Sequence, residues 1–290
     1  MSGPAARIVV GIDGSESALN AVLWAARECL RQDGVLRLVF AFHLPDWGLP
    51  ELDGTVAEVR ASLRRHAADC LAEAAEVART VSAEVPVEQR VREQSAAAAL
   101  IEESGRARLL VVGSRGLGGF AGLLLGSTAL ALSTHARSPV VVVRGCVPEH
   151  GRVVVGADGS LPGERAIGFA FAAAARRGAP VVAVLAWADA VLDQDPMPAD
   201  WTGLAEEHHA LLGQRLTDWT ERYPEVRVQR VVVRDRPVRA LLRAAADAQL
   251  LVVGARGLGG FAGLLLGSTS RSLLLHAPCP TVVLRPAEPG

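Results

Sequence analysis

ARLLVVGSRGLGGFAGLLLGST, residues Ala107 to Thr128, returns as AQLLVVGARGLGGFAGLLLGST at Ala248 to Thr269, changed only at Arg108/Gln249 and Ser114/Ala255. The chain is an internal duplication, and its best-kept part is a glycine loop that leaves a Val-rich strand and enters a Ser/Thr-led helix. Packing elements tolerate hydrophobic swaps of similar volume. Glycines held at matched positions point instead to backbone geometry, either positive φ or close approach of another group to the main chain. The loop predicts a ligand site present twice.

Working outward from the loop, each half shows the same order of elements. In the first, strand-like runs at Arg7–Ile12, Val35–Phe42, Val85–Val91, Leu109–Val112 and Val140–Val143 alternate with helical spacing at Glu16–Arg31, Val56–Val81, Ala96–Ser104 and Ser127–His135. The second repeats this with strands Val153–Gly156, Val181–Trp187, Val228–Val233, Leu250–Val253 and Thr281–Leu284, and helices Glu164–Arg177, Leu204–Arg222, Val238–Ala246 and Ser268–His276. Val-rich strands each followed by a helix predict a parallel sheet covered on both faces, so each half reads as one α/β domain. The link Gly145–Gly151 holds Pro148 and offers little to bury, which places a boundary near Glu149 between domains 1–147 and 151–290. The strands Val140–Val143 and Thr281–Leu284 come last in their sheets and are expected as edges, open to pairing within or between chains.

Composition narrows the function classes. A chain of 290 residues suits about two domains. Its 30 basic and 31 acidic residues leave a net charge of −1, so there is no overall basic footprint for nucleic acid. Every basic residue is arginine, which excludes a Walker A lysine, a Schiff-base lysine and a lysine general base. Cys29, Cys70, Cys146 and Cys279 form no CxxC pair, against a zinc or thioredoxin-type centre and in keeping with a reducing cytosol. The start MSGPAARIVVGIDGS lacks the pattern of a signal peptide, and no apolar run nears the roughly 18 residues of a membrane span. A cytoplasmic protein without membrane insertion is expected.

The loop chemistry is that of an anion site. The spacing is Gly113-x2-Gly116-x9-Gly126-Ser127-Thr128 in the first half and Gly254-x2-Gly257-x9-Gly267-Ser268-Thr269 in the second, with Gly118, Gly119, Gly259 and Gly260 between. Free backbone N–H groups and the positive end of a helix both favour phosphate there. Capping by Ser127 and Thr128 is the structural alternative, but it explains the hydroxyls and not the glycines. Gly105 to Pro148 and Ala248 to Ala287 contain no Asp or Glu, while Arg115 and Arg256 sit at equivalent places inside the motif, suited to bidentate contact with phosphate.

GLGGFA, Gly116 to Ala121, also satisfies the dinucleotide fingerprint. The acidic residue expected about twenty positions on is missing from both copies, and the motif falls late in each half rather than in the first turn. That first turn carries another repeat, Gly11-Ile12-Asp13-Gly14-Ser15 and Gly156-Ala157-Asp158-Gly159-Ser160. An acid at the carboxyl end of the first strand lies where open α/β sheets bind ligands, placed for a ribose or for Mg²⁺ beside phosphates. The competing reading is that Asp-Gly-Ser only starts its helix by capping.

VVGIDGS, then LLVVGSRGLGGFAGLLLGST, then HARSPVVVVR resembles the universal stress protein family in its tandem two-domain form, over essentially the whole chain. The G-x2-G-x9-G-(S/T) motif is similar to that of its ATP-binding branch. The resemblance implies, in each half, a doubly wound five-stranded parallel sheet of order 3-2-1-4-5 with helices on both faces and ATP between the first and fourth strands. It further implies Asp13 and Asp158 near the ribose or Mg²⁺, Ala41 and Ala186 against adenine, and the loop glycines with Ser127, Thr128, Ser268 and Thr269 around the phosphates. A homodimer is implied as well. Phe40 and Leu185 depart from the family where a histidine often stands, and Ala255 removes the hydroxyl that Ser114 keeps, so the two affinities are expected to differ.

No catalytic set emerges. His135 and His276 match between halves but read as helix C-terminal histidines, the adjacent His208 and His209 face different sides, and His43, His66 and His150 have no counterparts. The leading expectation is a regulator with two ATP sites acting on an unknown protein partner, rather than an enzyme. The alternatives are a nucleotide-using enzyme, such as a weak ATPase or adenylyl transferase, and a sensor of cyclic AMP or another adenylate.

Overall fold

The computed structural model describes residues 6–44, 53–117, 125–145, 147–187, 201–258 and 265–286. The chain divides into two units, Met1–Gly145 and Cys146–Gly290. In the first, β1 (Arg7–Ile12), α1 (Glu16–Gln32), β2 (Val35–Ala41), α2 (Asp53–Val81), β3 (Val87–Arg92), α3 (Ala96–Ser104), β4 (Leu109–Gly113), α4 (Ser127–His135) and β5 (Val140–Val143) follow in order. The strands lie β3-β2-β1-β4-β5, every adjacent pair parallel. Helix α1 packs with α2, and α3 with α4. The apolar runs are explained by this double cover: Ile8, Val9, Val10, Leu110, Val111 and Val141 are wholly inaccessible.

The second unit repeats the plan with β6 (Arg152–Gly156), α5 (Leu161–Arg177), β7 (Val181–Ala186), α6 (Trp201–Arg222), β8 (Val228–Val233), α7 (Pro237–Ala244), β9 (Ala248–Gly254), α8 (Ser268–His276) and β10 (Thr281–Leu284). Its strands lie β8-β7-β6-β9-β10, again all parallel. The fold class and strand order therefore agree with the reading of the sequence. Helix α5 starts earlier than its spacing suggests, at Leu161, because Ser160 caps it and Pro162 is accommodated in the first turn. Phe171 is the largest fully buried side chain, with Trp219 at 6.4 Å and Tyr223 at 6.2 Å between ring centroids.

Strand order reverses beside β1 in the first unit and beside β6 in the second. In open α/β sheets the ligand crevice falls at such a switch, here at the carboxyl ends of β1 and β4, and of β6 and β9. Among the described residues no helix is long and apolar enough to cross a membrane.

Candidate functional site

Asp13, just past β1, ties together two loops 104 residues apart. Its Oδ1 accepts the Ser15 N–H at 3.0 Å and the Ser15 hydroxyl at 2.6 Å, and its Oδ2 accepts the Leu117 N–H at 3.1 Å. Ser15, not Asp13, caps α1, accepting the Ala18 N–H at 3.2 Å. Asp158 and Ser160 repeat the turn at 3.0 and 2.7 Å, and Ser160 accepts the Gly163 N–H at 3.1 Å. The Asp-Gly-Ser signature thus divides its labour. The serine starts the helix, and the aspartate anchors the glycine loop of the first unit.

Among the described residues, positive φ occurs at the matched first-turn residues Gly14 (φ 84°) and Gly159 (φ 83°) and at none of Gly113, Gly116, Gly126, Gly254, Gly257 or Gly267. Close approach does hold, but largely with the protein itself. A Cβ at Gly116 would overlap the Asp13 carboxylate, and one at Gly257 that of Asp158. A Cβ at Gly113 would strike the Ser17 backbone, and one at Gly254 would meet Pro162 at 2.8 Å. Gly11 and Gly156 make room for Leu100 and Leu241. Gly118, Gly119, Gly259 and Gly260 lie outside the described residues.

Gly126 and Gly267 differ from the rest. A Cβ there would have only ordinary contacts, at 3.7 Å from the Ser114 carbonyl oxygen and 3.4 Å from that of Ala255. The alternative of capping by Ser127 and Thr128 falls away: the N-cap residues are Gly126 and Gly267, and neither α4 nor α8 receives a side-chain cap. Ser127 and Thr128, like Ser268 and Thr269, are the first residues inside their helices. Helices α1, α3 and α5, by contrast, are each capped by a serine hydroxyl. Gly126 (φ −70°, ψ 149°) and Gly267 (φ −71°, ψ 155°) have the same backbone conformation as the capping Ser160 (φ −73°, ψ 156°). A serine would fit, and its absence leaves the first-turn N–H groups of both helices open toward an anion. The Gly126 N–H itself donates to the Ser114 carbonyl at 2.8 Å, and that of Gly267 to Ala255 at 2.7 Å, closing the base of each loop. These two glycines shape the site without donating to it.

Two arginines, Arg115 and Arg144, stand near each other at the start of the first loop. Arg115 is exposed beside Gly116, and burial together with the neighbouring Arg115 guanidinium pushes Arg144 below the usual arginine range. Arg256, the counterpart of Arg115, is half-buried.

At the other end of the crevice, Ala41 and Ala186 are the half-buried last residues of β2 and β7, small enough to admit a flat ring. Behind them Phe40 meets His66 edge-on at 5.7 Å in one unit, and Trp187 stacks on His208 at 4.9 Å in the other. The structure also brings together a pair that the sequence reading missed. Sγ of Cys70 lies 3.6 Å from Nε2 of His66, one helical turn away on α2, a spacing that could have revealed it. Burial, with Glu73 and Asp13 nearby, raises the Cys70 thiol, so the pair is not an activated nucleophile. Cys70 also stands 3.0 Å from where a Gly14 Cβ would lie, whereas in the second unit the guanidinium of Arg215, paired with Glu164, stands over Gly159. The two crevices thus differ by a thiol against a cation. His135, as expected, sits at a helix end, its Nδ1 3.1 Å from the Ala131 carbonyl.

Comparison with known proteins gives a consistent result. The model of the universal stress protein family matches residues 5–144 and 149–285. The chain is 40% identical over 293 residues to a universal stress protein of Mycolicibacterium smegmatis, covering 96% of this chain and 97% of that one. It is 37% identical over 285 residues to one from Mycobacterium tuberculosis, covering 96% of each. In three dimensions it is similar to a universal stress protein from Archaeoglobus fulgidus, with a TM-score of 0.70 at 20% identity, over 96% of this chain and 98% of that one. At that identity the likeness speaks to the fold.

Proposed function

Because the chain belongs to the universal stress protein family, we propose that it is a nucleotide-binding regulator, with one ATP site in each of the domains 1–147 and 151–290. The observation that carries this reading is the uncapped start of α4 and of α8, joined in the first unit by an aspartate-anchored glycine loop. The first-turn N–H groups, with the hydroxyls of Ser127, Thr128, Ser268 and Thr269, suit phosphate oxygens, and Arg115 and Arg256 add charge. Ala41 and Ala186 leave room for adenine. Asp13 and Asp158 have lone pairs to spare for a ribose hydroxyl or for Mg²⁺ bound to the phosphates. Binding rather than turnover is proposed because no activated base or nucleophile lines either crevice among the described residues.

On this reading ATP stabilises each domain by mass action and changes the surface offered to a protein partner, within a cytoplasmic homodimer. The test is to denature freshly purified protein and identify the released small molecules by mass spectrometry, alongside the variant with Gly126→Ser and Gly267→Ser. ATP at up to two per chain, lost from the variant, supports the reading. Cyclic AMP in its place, or steady release of ADP or AMP from added ATP, favours the sensor or the enzyme. No adenine nucleotide, together with no binding of added ATP, overturns it.

A further inference from the structure

Arg37 on β2 centres a partly buried ionic network in the first unit. Its Nε and Nη2 donate to Oε2 of Glu88 at 2.8 and 2.6 Å, its Nη1 donates to Oε2 of Glu103 at 2.9 Å, and Nη2 of Arg92 reaches Oε1 of Glu103 at 2.7 Å. Strand register carries these positions into the second unit. Gly11 faces Val39 and Gly156 faces Val184, which aligns Arg37 with Val182. Arg37 faces Glu88 and Val182 faces Gln229, which aligns Glu88 with Gln229 and, further along the strand, Arg92 with Val233. Leu100 and Leu241 lie against Gly11 and Gly156, which aligns Glu103 with Ala244. Each charged member of the network is replaced by an uncharged residue.

The four replacements line one cleft of about 140 Å³, joined by Val231 and Ala240 and flanked by Arg152 and Arg243. Val231, Val233 and Ala244 keep partial exposure, so the lost charges have not been exchanged for a closed core. A wider depression of about 570 Å³ shares Arg152, Val182 and Gln229 with it and adds Arg177 and His150. The cleft runs from Arg152 and Val182, near the amino-terminal ends of β6 and β7, along β8 to its last residue, Val233, which pairs in register with Ala186. Its volume suits a few carbons in line and not a helix of about 10 Å diameter. The flanking arginines engage Asp247 at 3.8 Å and Asp235 at 3.5 Å and remain 39% and 67% exposed, which leaves guanidinium donors for another anion.

We propose that the second unit binds a small amphiphilic carboxylate there, its apolar chain against Val231, Val233 and Ala244 and its head group at Arg152 and Arg243. The site is a specialisation of one half of the duplication. The test uses the full-length protein and titrates octanoate and octanol by calorimetry. Octanoate is expected to bind at one per chain, about tenfold tighter than octanol, because only its head group engages arginine. The variant Val182→Arg, Gln229→Glu, Val233→Arg and Ala244→Glu, which copies the first unit's network, is expected to lose octanoate binding with its circular dichroism unchanged. Should it fail to fold, Arg152→Gln with Arg243→Gln decides, bringing octanoate down to the affinity of octanol. Absence of saturable octanoate binding, equal affinity for octanol, or binding that survives either variant overturns the proposal.

Discussion

The Asp13 carboxylate occupies the space that a Cβ on Gly116 would need, and Asp158 stands in the same relation to Gly257. Gly116→Ala should therefore act through the protein before it acts on any ligand. It displaces Asp13 from Leu117 and Ser15, and the expected cost is about 1 to 2 kcal/mol in the ligand-free protein. Urea denaturation without nucleotide measures it, and an unchanged midpoint would remove this account of the glycine.

Gly126→Ser should have the opposite sign. The site already has a capping conformation, so the hydroxyl is expected to satisfy an open N–H of α4 and add a few tenths of a kcal/mol to the first unit. The same bond occupies the donor proposed for phosphate, so ATP affinity is expected to fall by about tenfold. Thermal melts with and without ATP separate the effects. A stabilised variant that binds ATP normally would show that the open helix start is not the phosphate site.

How far the sequence could be read follows from these residues. Strand and helix spans were legible because alternation of apolar runs with helical spacing is local, and the duplication supplied each signal twice, whereas strand order, which rests on non-local pairing, came only from the family resemblance. The loop was legible as a site, but the reason for its glycines was not. Gly116 is constrained by Asp13, a partner 104 residues from the Leu117 that it also holds. Nothing local marks that contact. The alternative of capping by Ser127 could not be dismissed from spacing alone, because the hydroxyls and the cap position differ by one residue, a distance that spacing does not resolve. The exchange of Arg37 for Val182 became visible only through strand register.

Acid should weaken the first unit through the Arg37 network. Burial opposes ionisation of Glu103, but hydrogen bonds from Arg37 and Arg92 outweigh it and hold the carboxyl below its ordinary 4.5, and the Arg37 hydrogen bond likewise holds Glu88 low. A lowered folded-state value means that the stabilisation is present above pH 4.5 and is lost as the pH falls through that lower value. Glu103→Gln is expected to flatten this acid dependence and to cost about 3 kcal/mol at neutral pH by leaving Arg37 poorly paired. Denaturant melts across the acid range check both effects, and an acid slope unchanged by the substitution would assign it to other groups.

Burial pushes the thiols of Cys29 and Cys279 up to about 12, and both are 1% exposed. One lies in each unit, so alkylation at about pH 8, where little thiolate exists, should report opening of each unit separately. ATP is expected to slow labelling of both if both sites fill. Mass spectrometry of the labelled peptides would show slowing at Cys29 alone if only the first site binds.

A helix whose first turn is completed from outside the chain lends its stability to whatever solute completes it. On the proposed reading α4 and α8 are held fast while nucleotide is plentiful and fray when it runs short, and fraying is the local opening on which proteases act. The amount of this protein in a cell would then follow the energy supply through its own degradation, with no dedicated receptor needed to report the change.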